Sequence, residues 1–380
     1  MYFLGITMAD TIVEVSGADY TGKTTHADLL TFTPGVDVHN FGGKKHYSDM
    51  WPPLMTPAED WEWWFRETSL SELGAVLLDG YTRRQEVAYA SDYDIAVVEK
   101  GAVMVRSQLA ANFATRNEVG VDHFVEEADA FVSNHSTDPD AGRRRLEVVL
   151  ESDEQWQSCQ ANAMPYIRNG RDLDSRYSGE QNEFYARYLQ NLRQAIRHFH
   201  SGEVIPVNRS TIEVQDEIRA LLANKGLPFA PILGHRPLVV GITGQHDSGS
   251  IVSEVLEQDF NFVPQQIPSP GENNPQIPGN VRGGYHAAAI RIIGQLVERP
   301  DVSRVLLGSE PCIQLSAELR TLMDTRWRLI FVDDESRLHD DTHGNDAKVV
   351  PVTLDMADLA VPGEWSREQV ADYLSEGLNL

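Results

Sequence analysis

Cysteine, lysine and long apolar runs are what this chain has least of, and each shortage closes off a class of explanations. Only Cys159 and Cys312 occur, far apart and in no metal-ligand spacing. Neither a disulfide framework nor a cysteine-based zinc site is expected, and a reducing compartment fits. No apolar stretch approaches the length that spans a bilayer. The opening Met-Tyr-Phe-Leu-Gly-Ile-Thr is too short, and lacks the basic flank, for a signal peptide. Met8 offers a second candidate start, which would make the first seven residues a dispensable tail. Positive charge is scarce as well: 32 Lys and Arg stand against 57 Asp and Glu, a formal net charge of −25, and only six of the basic residues are lysines. That balance opposes long-range attraction to nucleic acid and to anionic membranes. The expectation is a cytoplasmic protein with a small-molecule partner and no membrane association; a homodimer stays open.

What is present reads as a folded α/β chain. At 380 residues, 41% hydrophobic and 23% charged, two domains are expected. In the first half β-branched runs alternate with helical patterns, which points to a parallel sheet. Strands are predicted at 11–15, 36–39, 94–98, 146–150 and 203–207, and helices at 23–30, 57–78, 82–90, 180–198 and 212–223. Residues 224–237, with three prolines and two glycines, read as a linker. Beyond it the pattern restarts with strands at 238–242, 302–307 and 328–332, and helices at 251–257, 285–298, 315–323 and 366–376. The predicted class is α/β with two P-loop-type parallel-sheet domains, 1–226 and 237–380, the second with a degenerate phosphate loop.

The most specific signal is Gly17-Ala-Asp-Tyr20-Thr21-Gly22-Lys23-Thr24, which fits G-x-x-x-x-G-K-[ST] between a strand and a helix. Glycines let the backbone curl so that successive N–H groups converge on phosphate oxygens, and the helix N-terminus adds positive potential. Lys23 would sit between the β- and γ-phosphates, and the Thr24 hydroxyl would be a magnesium ligand. ATP and Mg2+ are therefore the expected cofactors.

Extended through Asp19 and Thr25, the loop reads G-x-D-x-x-G-K-T-T and resembles that of thymidylate kinases. The resemblance implies that Asp19 reaches a sugar hydroxyl of the acceptor nucleotide; capping of the turn is the plainer alternative. Leu77-Leu-Asp-Gly-Tyr-Thr-Arg83 resembles the helix motif whose arginine grips the acceptor phosphate, although Asp79 and Thr82 depart from it. Glu99 ends a hydrophobic strand, where parallel sheets present functional groups. Glu99-Lys100-Gly101 with Arg106 resembles the strand-end motifs of thymidylate and deoxynucleoside kinases, with Lys100 where the families carry arginine. The resemblance makes Glu99 a base or a magnesium organiser, with Lys100 or Arg106 neutralising the transferring group. Arg168, Arg171 and Arg176 stand where both families place a mobile lid. Trp61, Trp63 and Trp64 would floor the acceptor pocket, though core packing suits at least two of them better. Arg143–Arg145 is expected at the surface.

In the second half, Gly244-Gln-His-Asp-Ser-Gly249-Ser250 has the outline of a phosphate loop with serine in the lysine position. A weak resemblance to phage-type deoxynucleoside monophosphate kinases runs through scattered segments around Glu310. This half is expected to bind, assemble or regulate, and His339 and His343 to be solvated. The reading as a whole is an ATP-dependent kinase of a deoxynucleoside monophosphate or deoxynucleoside. Kept beside it are a kinase of a hydroxymethylated base in DNA and a non-catalytic nucleotide-binding protein.

Overall fold

The computed structural model describes residues 11–19, 21–52, 57–135, 144–153, 179–230, 238–244, 246–265, 285–299, 302–307, 313–323, 327–333, 357–362 and 364–378. The chain forms two compact units, divided mainly between Ala230 and Pro231. Among the described residues no helix is long and apolar enough to cross a membrane.

In the first unit the order is β1 Thr11–Gly17, α1 Lys23–Leu30, β2 Val38–Asn40, α2 Pro57–Glu62, α3 Leu70–Tyr89, β3 Ile95–Glu99, α4 Ala102–Arg116, α5 Val125–His135, β4 Arg144–Glu151, α6 Gly179–Phe199, β5 Val204–Pro206 and α7 Thr211–Asn224. The five strands are parallel, in the order β2-β3-β1-β4-β5. Side chains alternate across a pleated sheet, and both faces here are covered. Val13 and Val15 of β1, with Ile95, Val97, Val148 and Leu150, pack against Ala27 and Leu30 of α1 and Val214, Ile218 and Leu222 of α7. On the other face Ile12, Ala96 and Val98 meet Ala88 and Tyr89 of α3, and Val149 meets Met104 and Ala111 of α4 and Leu192 of α6. The chain leaves β1 toward β2, yet leaves β3 over β1 toward β4. The strand order therefore reverses beside β1, and the crevice beyond the carboxyl ends of β1 and β3 is the place where such sheets bind ligands.

The second unit contains β6 Leu238–Gly244, α8 His246–Gln258, β7 Val263–Gln265, α9 Tyr285–Glu298, β8 Arg304–Leu307, α10 Ile313–Met323, β9 Trp327–Asp333, β10 Leu359–Pro362 and α11 Arg367–Gly377. Its parallel sheet runs β10-β9-β6-β8-β7. Numbered from the first strand of each unit, both sheets read second, third, first, fourth, fifth. The α/β class with two parallel sheets is thus the observed one. Val240, Leu306 and Ile330 of this sheet pack with Val252, Val255 and Leu256 of α8 and Val370 and Leu374 of α11. Ser366 and Gln369 start α11 with reciprocal side-chain-to-backbone caps.

Several elements differ from the sequence expectation. The single helix expected over 57–78 is broken. A π-helical turn, Trp63–Glu67, ends at Thr68, and Ser69 opens a new helix by accepting from the Glu72 backbone N–H at 3.2 Å. Ser69-Leu-Ser-Glu72 carries the S-x-x-E signature of a helix start, and α3 then runs through the break expected near residue 80. Helices α4 and α5 and strand β10 were not anticipated. Arg144 and Arg145 lie within β4 rather than on a surface run. Arg145 is half-buried and donates to the hydroxyls of Tyr81 and Tyr89, each at 3.2 Å.

Candidate active site

The site begins where β1 ends. At Gly17, φ is +146°, and a Cβ there would stand 2.5 Å from the Leu150 carbonyl of β4. Only glycine lets the chain turn away so close to the neighbouring strand. Gly22, at φ 74°, closes the loop and precedes α1, whose first turn holds no acidic residue to offset its N-terminal potential. The Thr21 hydroxyl donates to the Ala18 carbonyl at 2.8 Å, and the buried Lys23 ammonium donates to the same oxygen at 2.5 Å. Lys23 thus reaches back across the loop it follows, the direction in which phosphate oxygens would replace that carbonyl. Tyr20 lies outside the described residues.

Opposite the loop is the end of β3. The Thr24 hydroxyl donates to Glu99 Oε2 at 2.8 Å, bringing together a hydroxyl and a buried carboxylate from loci 75 residues apart. Such a hard-oxygen pair, completed by phosphate oxygens and water, suits magnesium, which is rarely caged by protein alone. The glycine cradle and this donor set fit a magnesium-bound nucleotide triphosphate.

Lys100 follows Glu99 in the left-handed region at φ 61°, a conformation that costs a non-glycine residue about 1 kcal/mol or more. Its backbone N–H donates to the Val15 carbonyl at 2.9 Å. What holds the turn is Arg84, fully buried, whose guanidinium donates to the carbonyls of Glu99, Lys100 (3.2 Å) and Gly42 (3.1 Å). The planar fork spans both strand ends, as a lysine could not. Lys100 Nζ lies 3.7 Å and Lys23 Nζ 3.9 Å from Asp19 Oδ1, and the Tyr185 hydroxyl donates to Asp19 Oδ2 at 2.7 Å. Burial favours the neutral acid, but the two ammonium groups and the tyrosine outweigh it and hold Asp19 well below the usual carboxylate range. Asp19 is consequently an acceptor only.

Beneath this crevice is a polar shelf. Glu14 of β1 accepts from Gln85 Nε2 at 2.6 Å, the Tyr81 hydroxyl at 3.0 Å and the Ala102 N–H at 3.2 Å. Ser16 accepts from the Gly101 N–H at 2.9 Å and donates to Glu147 at 2.5 Å. Strand side chains thereby cap the first turn of α4. A Cβ at Gly101 would stand 2.4 Å from Glu14 Oε2, so glycine permits the approach. Burial, and then the neighbouring Glu14 charge, push the Glu147 carboxyl up to about 8.

An aromatic wall closes one side. Phe65 makes edge contacts with Phe184, Tyr185 and Tyr188 at 5.3, 6.2 and 4.9 Å between centroids. Trp61 and Trp63 are buried core residues, while Trp64 is half-buried. The Trp64 carbonyl, in the π-helical turn, is bound by Asn112 at 2.7 Å and Arg116 at 2.5 Å.

Of the residues singled out in the sequence, the fold gathers Gly17, Asp19, Thr21, Gly22, Lys23, Thr24, Glu99 and Lys100; Thr25 continues the first turn of α1. Two arginines are engaged elsewhere. Arg83 is exposed and paired with Asp79 and Asp49. Arg106 donates to Asp129 of α5 at 2.7 Å. Arg168, Arg171, Arg176, Glu310, His339 and His343 lie outside the described residues, as do the side chains of 246–249. Arg84, Lys44, Tyr185 and the shelf were missed. Only Lys44, in the Gly42-Gly43-Lys44-Lys45 step after a strand, carried a sequence signal.

No protein-family model matches the sequence, and no curated protein is similar to it. Among solved structures the chain is similar to a thymidine kinase, EHV4-TK complexed with TP4A, at 9% identity over 97% of this chain and 90% of that one. The TM-score is 0.24, too low for the likeness to carry any argument.

Proposed function

We propose that the first unit is an ATP- and magnesium-dependent phosphotransferase acting on a deoxynucleoside monophosphate or a deoxynucleoside. The observation that carries this reading is the hydrogen bond from Thr24, which follows Lys23 at the start of α1, to Glu99 at the end of β3. ATP would lie in the cradle of residues 17–24, with magnesium at Thr24 and Glu99, and would supply the transferable γ-phosphoryl group. Lys23 neutralises charge on the donor phosphates, and the loop N–H groups fix their position. Asp19, ionised and accepting, orients a sugar hydroxyl of the acceptor. Glu99 accepts the proton of an attacking hydroxyl where the acceptor is a nucleoside. Where the acceptor is already a phosphate, Glu99 orders water around the cation instead. Arg84 keeps Glu99 and Lys100 in register with the loop. A DNA acceptor fits a chain of net charge −25 poorly.

The test is ADP release across a panel of deoxynucleosides, their 5′-monophosphates and hydroxymethylated duplex DNA, for wild type and Lys23→Ala. Turnover on a free nucleoside or nucleotide that disappears in the variant is expected. Silence on every acceptor, or activity indifferent to Lys23, would end the kinase reading.

A further inference from the structure

The turn that carries Glu99 and Lys100 is also held from the face of the sheet away from Thr24. Side chains alternate along β1. Val13 and Val15 face α1, so Glu14 and Ser16 project on the other side, toward α3 and α4. Helix α4 starts at Ala102, directly after the turn, and its N-cap residue is Gly101, which has no side chain to offer. The leading N–H groups are received from the sheet instead, Gly101 by Ser16 at 2.9 Å and Ala102 by Glu14 at 3.2 Å. Ser16 is anchored in turn, donating to Glu147 of β4 at 2.5 Å. Lys100, in the left-handed region at φ 61°, lies between Glu99 and this anchor, so a strained backbone is fixed on both sides.

This anchor is built from two carboxyl groups that cannot both be charged without cost. Glu14 and Glu147 are register partners on adjacent parallel strands, so both project on the same face. Like charges directly opposite one another repel. The cations around them are committed to other acceptors. Lys44 donates to Gln108, Arg84 to the carbonyls of Gly42, Glu99 and Lys100, Arg106 to Asp129, and Arg145 to Tyr81 and Tyr89. Among the described residues none of them forms an ion pair with Glu14 or Glu147. Tyr81 of α3 faces Glu14 as a donor, and burial keeps its hydroxyl neutral. A proton on Glu147 removes the repulsion. Burial and the Glu14 charge favour that proton, against the Val103 N–H and the Arg106 charge.

We propose that Ser16 and Glu147 are positioning residues of the transfer site, setting the Glu99–Lys100–Gly101 turn from the far side of the sheet. This rests on the kinase reading above and adds a control to it. With Glu147 neutral, the Ser16 hydroxyl is held between that carboxyl and the Gly101 N–H, while Glu14 keeps the start of α4. When the proton leaves to solvent, two buried carboxylates oppose each other and one side chain withdraws. The anchor at Gly101 or Ala102 goes with it, and Glu99 leaves its place opposite Thr24. Neither Ser16 nor Glu147 touches the reactants; both act through the turn. Transfer therefore slows as pH rises through the range in which Glu147 ionises.

The experiment follows the full chain from pH 7 to pH 9 in wild type, Ser16→Ala and Glu147→Gln, with circular dichroism confirming folding at each pH. The first readout is kcat for ADP release at saturating ATP, magnesium and acceptor. One proton leaving Glu147 at about pH 8 predicts a fall of about tenfold across this interval in wild type. Glu147→Gln, which has no proton to lose, should fall by less than about twofold. Ser16→Ala should be slower than wild type by about tenfold already at pH 7, the worth of one hydrogen bond. The second readout needs no acceptor. It is amide hydrogen exchange at Gly101, divided by that at Ala110 in the middle of α4 to remove the general effect of pH. This ratio should rise about tenfold with pH in wild type, stay level in Glu147→Gln and be high throughout in Ser16→Ala. An alkaline fall in kcat that is as large in Glu147→Gln as in wild type overturns the inference, as does an exchange ratio that neither variant changes. Silence on every acceptor, with the exchange pattern as expected, would sink the kinase reading and leave the anchoring of the turn standing. If Ser16→Ala fails to fold, Glu147→Gln and the wild-type pH series decide.

Discussion

The two units are wound the same way and end their central strands alike, yet among the described residues only the first follows that strand with a glycine-bounded loop before its helix. β1 and β6 both finish in glycine and lie between the third and fourth strands of their sheets. After Gly17 the chain spends residues 18–22 outside any helix before α1 begins at Lys23. After Gly244 only residue 245 precedes α8, so Ser250 is already inside a helix. The register extends the contrast. Glu14 pairs with Glu147 in the first sheet, whereas the matching positions in the second are Gly241 and Leu329. The sheet supplies a crevice; loop length and a few inward polar residues decide whether chemistry can occur there.

The largest expected effect separates the two loops. Lys23→Ala should lower ATP-dependent turnover by about 100-fold or more, the scale for losing a donor to transferring charge. Ser250→Ala should stay within about twofold, because the second unit is given no part in transfer. Parallel kinetics on both variants would break the comparison if the losses were similar.

Gly17→Ala asks whether the cradle depends on strained backbone. Its φ of +146° and the 2.5 Å approach to Leu150 predict a loss of about 1–3 kcal/mol in urea denaturation. Nucleotide affinity should fall with it; unchanged stability would mean the loop tolerates a side chain.

The shelf gives a pH test. Because folding raises the Glu147 carboxyl to about 8, the native state favours the protonated acid. Its contribution is complete below the ordinary glutamate range and is lost as pH climbs from there through about 8. Glu147→Gln should flatten that fall, and at pH 8.5 it should be more stable than wild type by on the order of 2 kcal/mol. Melting curves that stay parallel across this window would remove Glu147 from the shelf.

The smallest contrast is between adjacent arginines. Arg84→Lys should reduce kcat about tenfold by loosening the Glu99–Lys100 turn, while Arg83→Lys, in an exposed cluster, should change it by less than about twofold. Reversal of that order would return the site to Arg83.

How far the site could be read in advance follows from range of interaction. The phosphate loop was legible because glycine freedom, a lysine and a hydroxyl residue act within a few positions of one another. Glu99 was legible as a carboxylate closing an apolar strand. Helix α4 was hidden because Val103, Met104, Leu109, Ala110 and Ala111 bury most of its circumference, which erases the periodicity that marks an amphipathic helix. The break at Ser69 had a local signature that the long tryptophan-rich run masked.

The sequence by itself determined the parallel α/β class, the cradle at Gly17–Thr24 and the carboxylate facing it, since each depends on neighbours along the chain. Tertiary structure decided that Arg84 rather than Arg83 holds the strand ends, that Lys44 is buried beside Lys100, and that Glu14 and Glu147 share one shelf. Those facts depend on which strands become adjacent and on what covers them. Burial and charge are set by neighbours in space, and a linear pattern does not carry them.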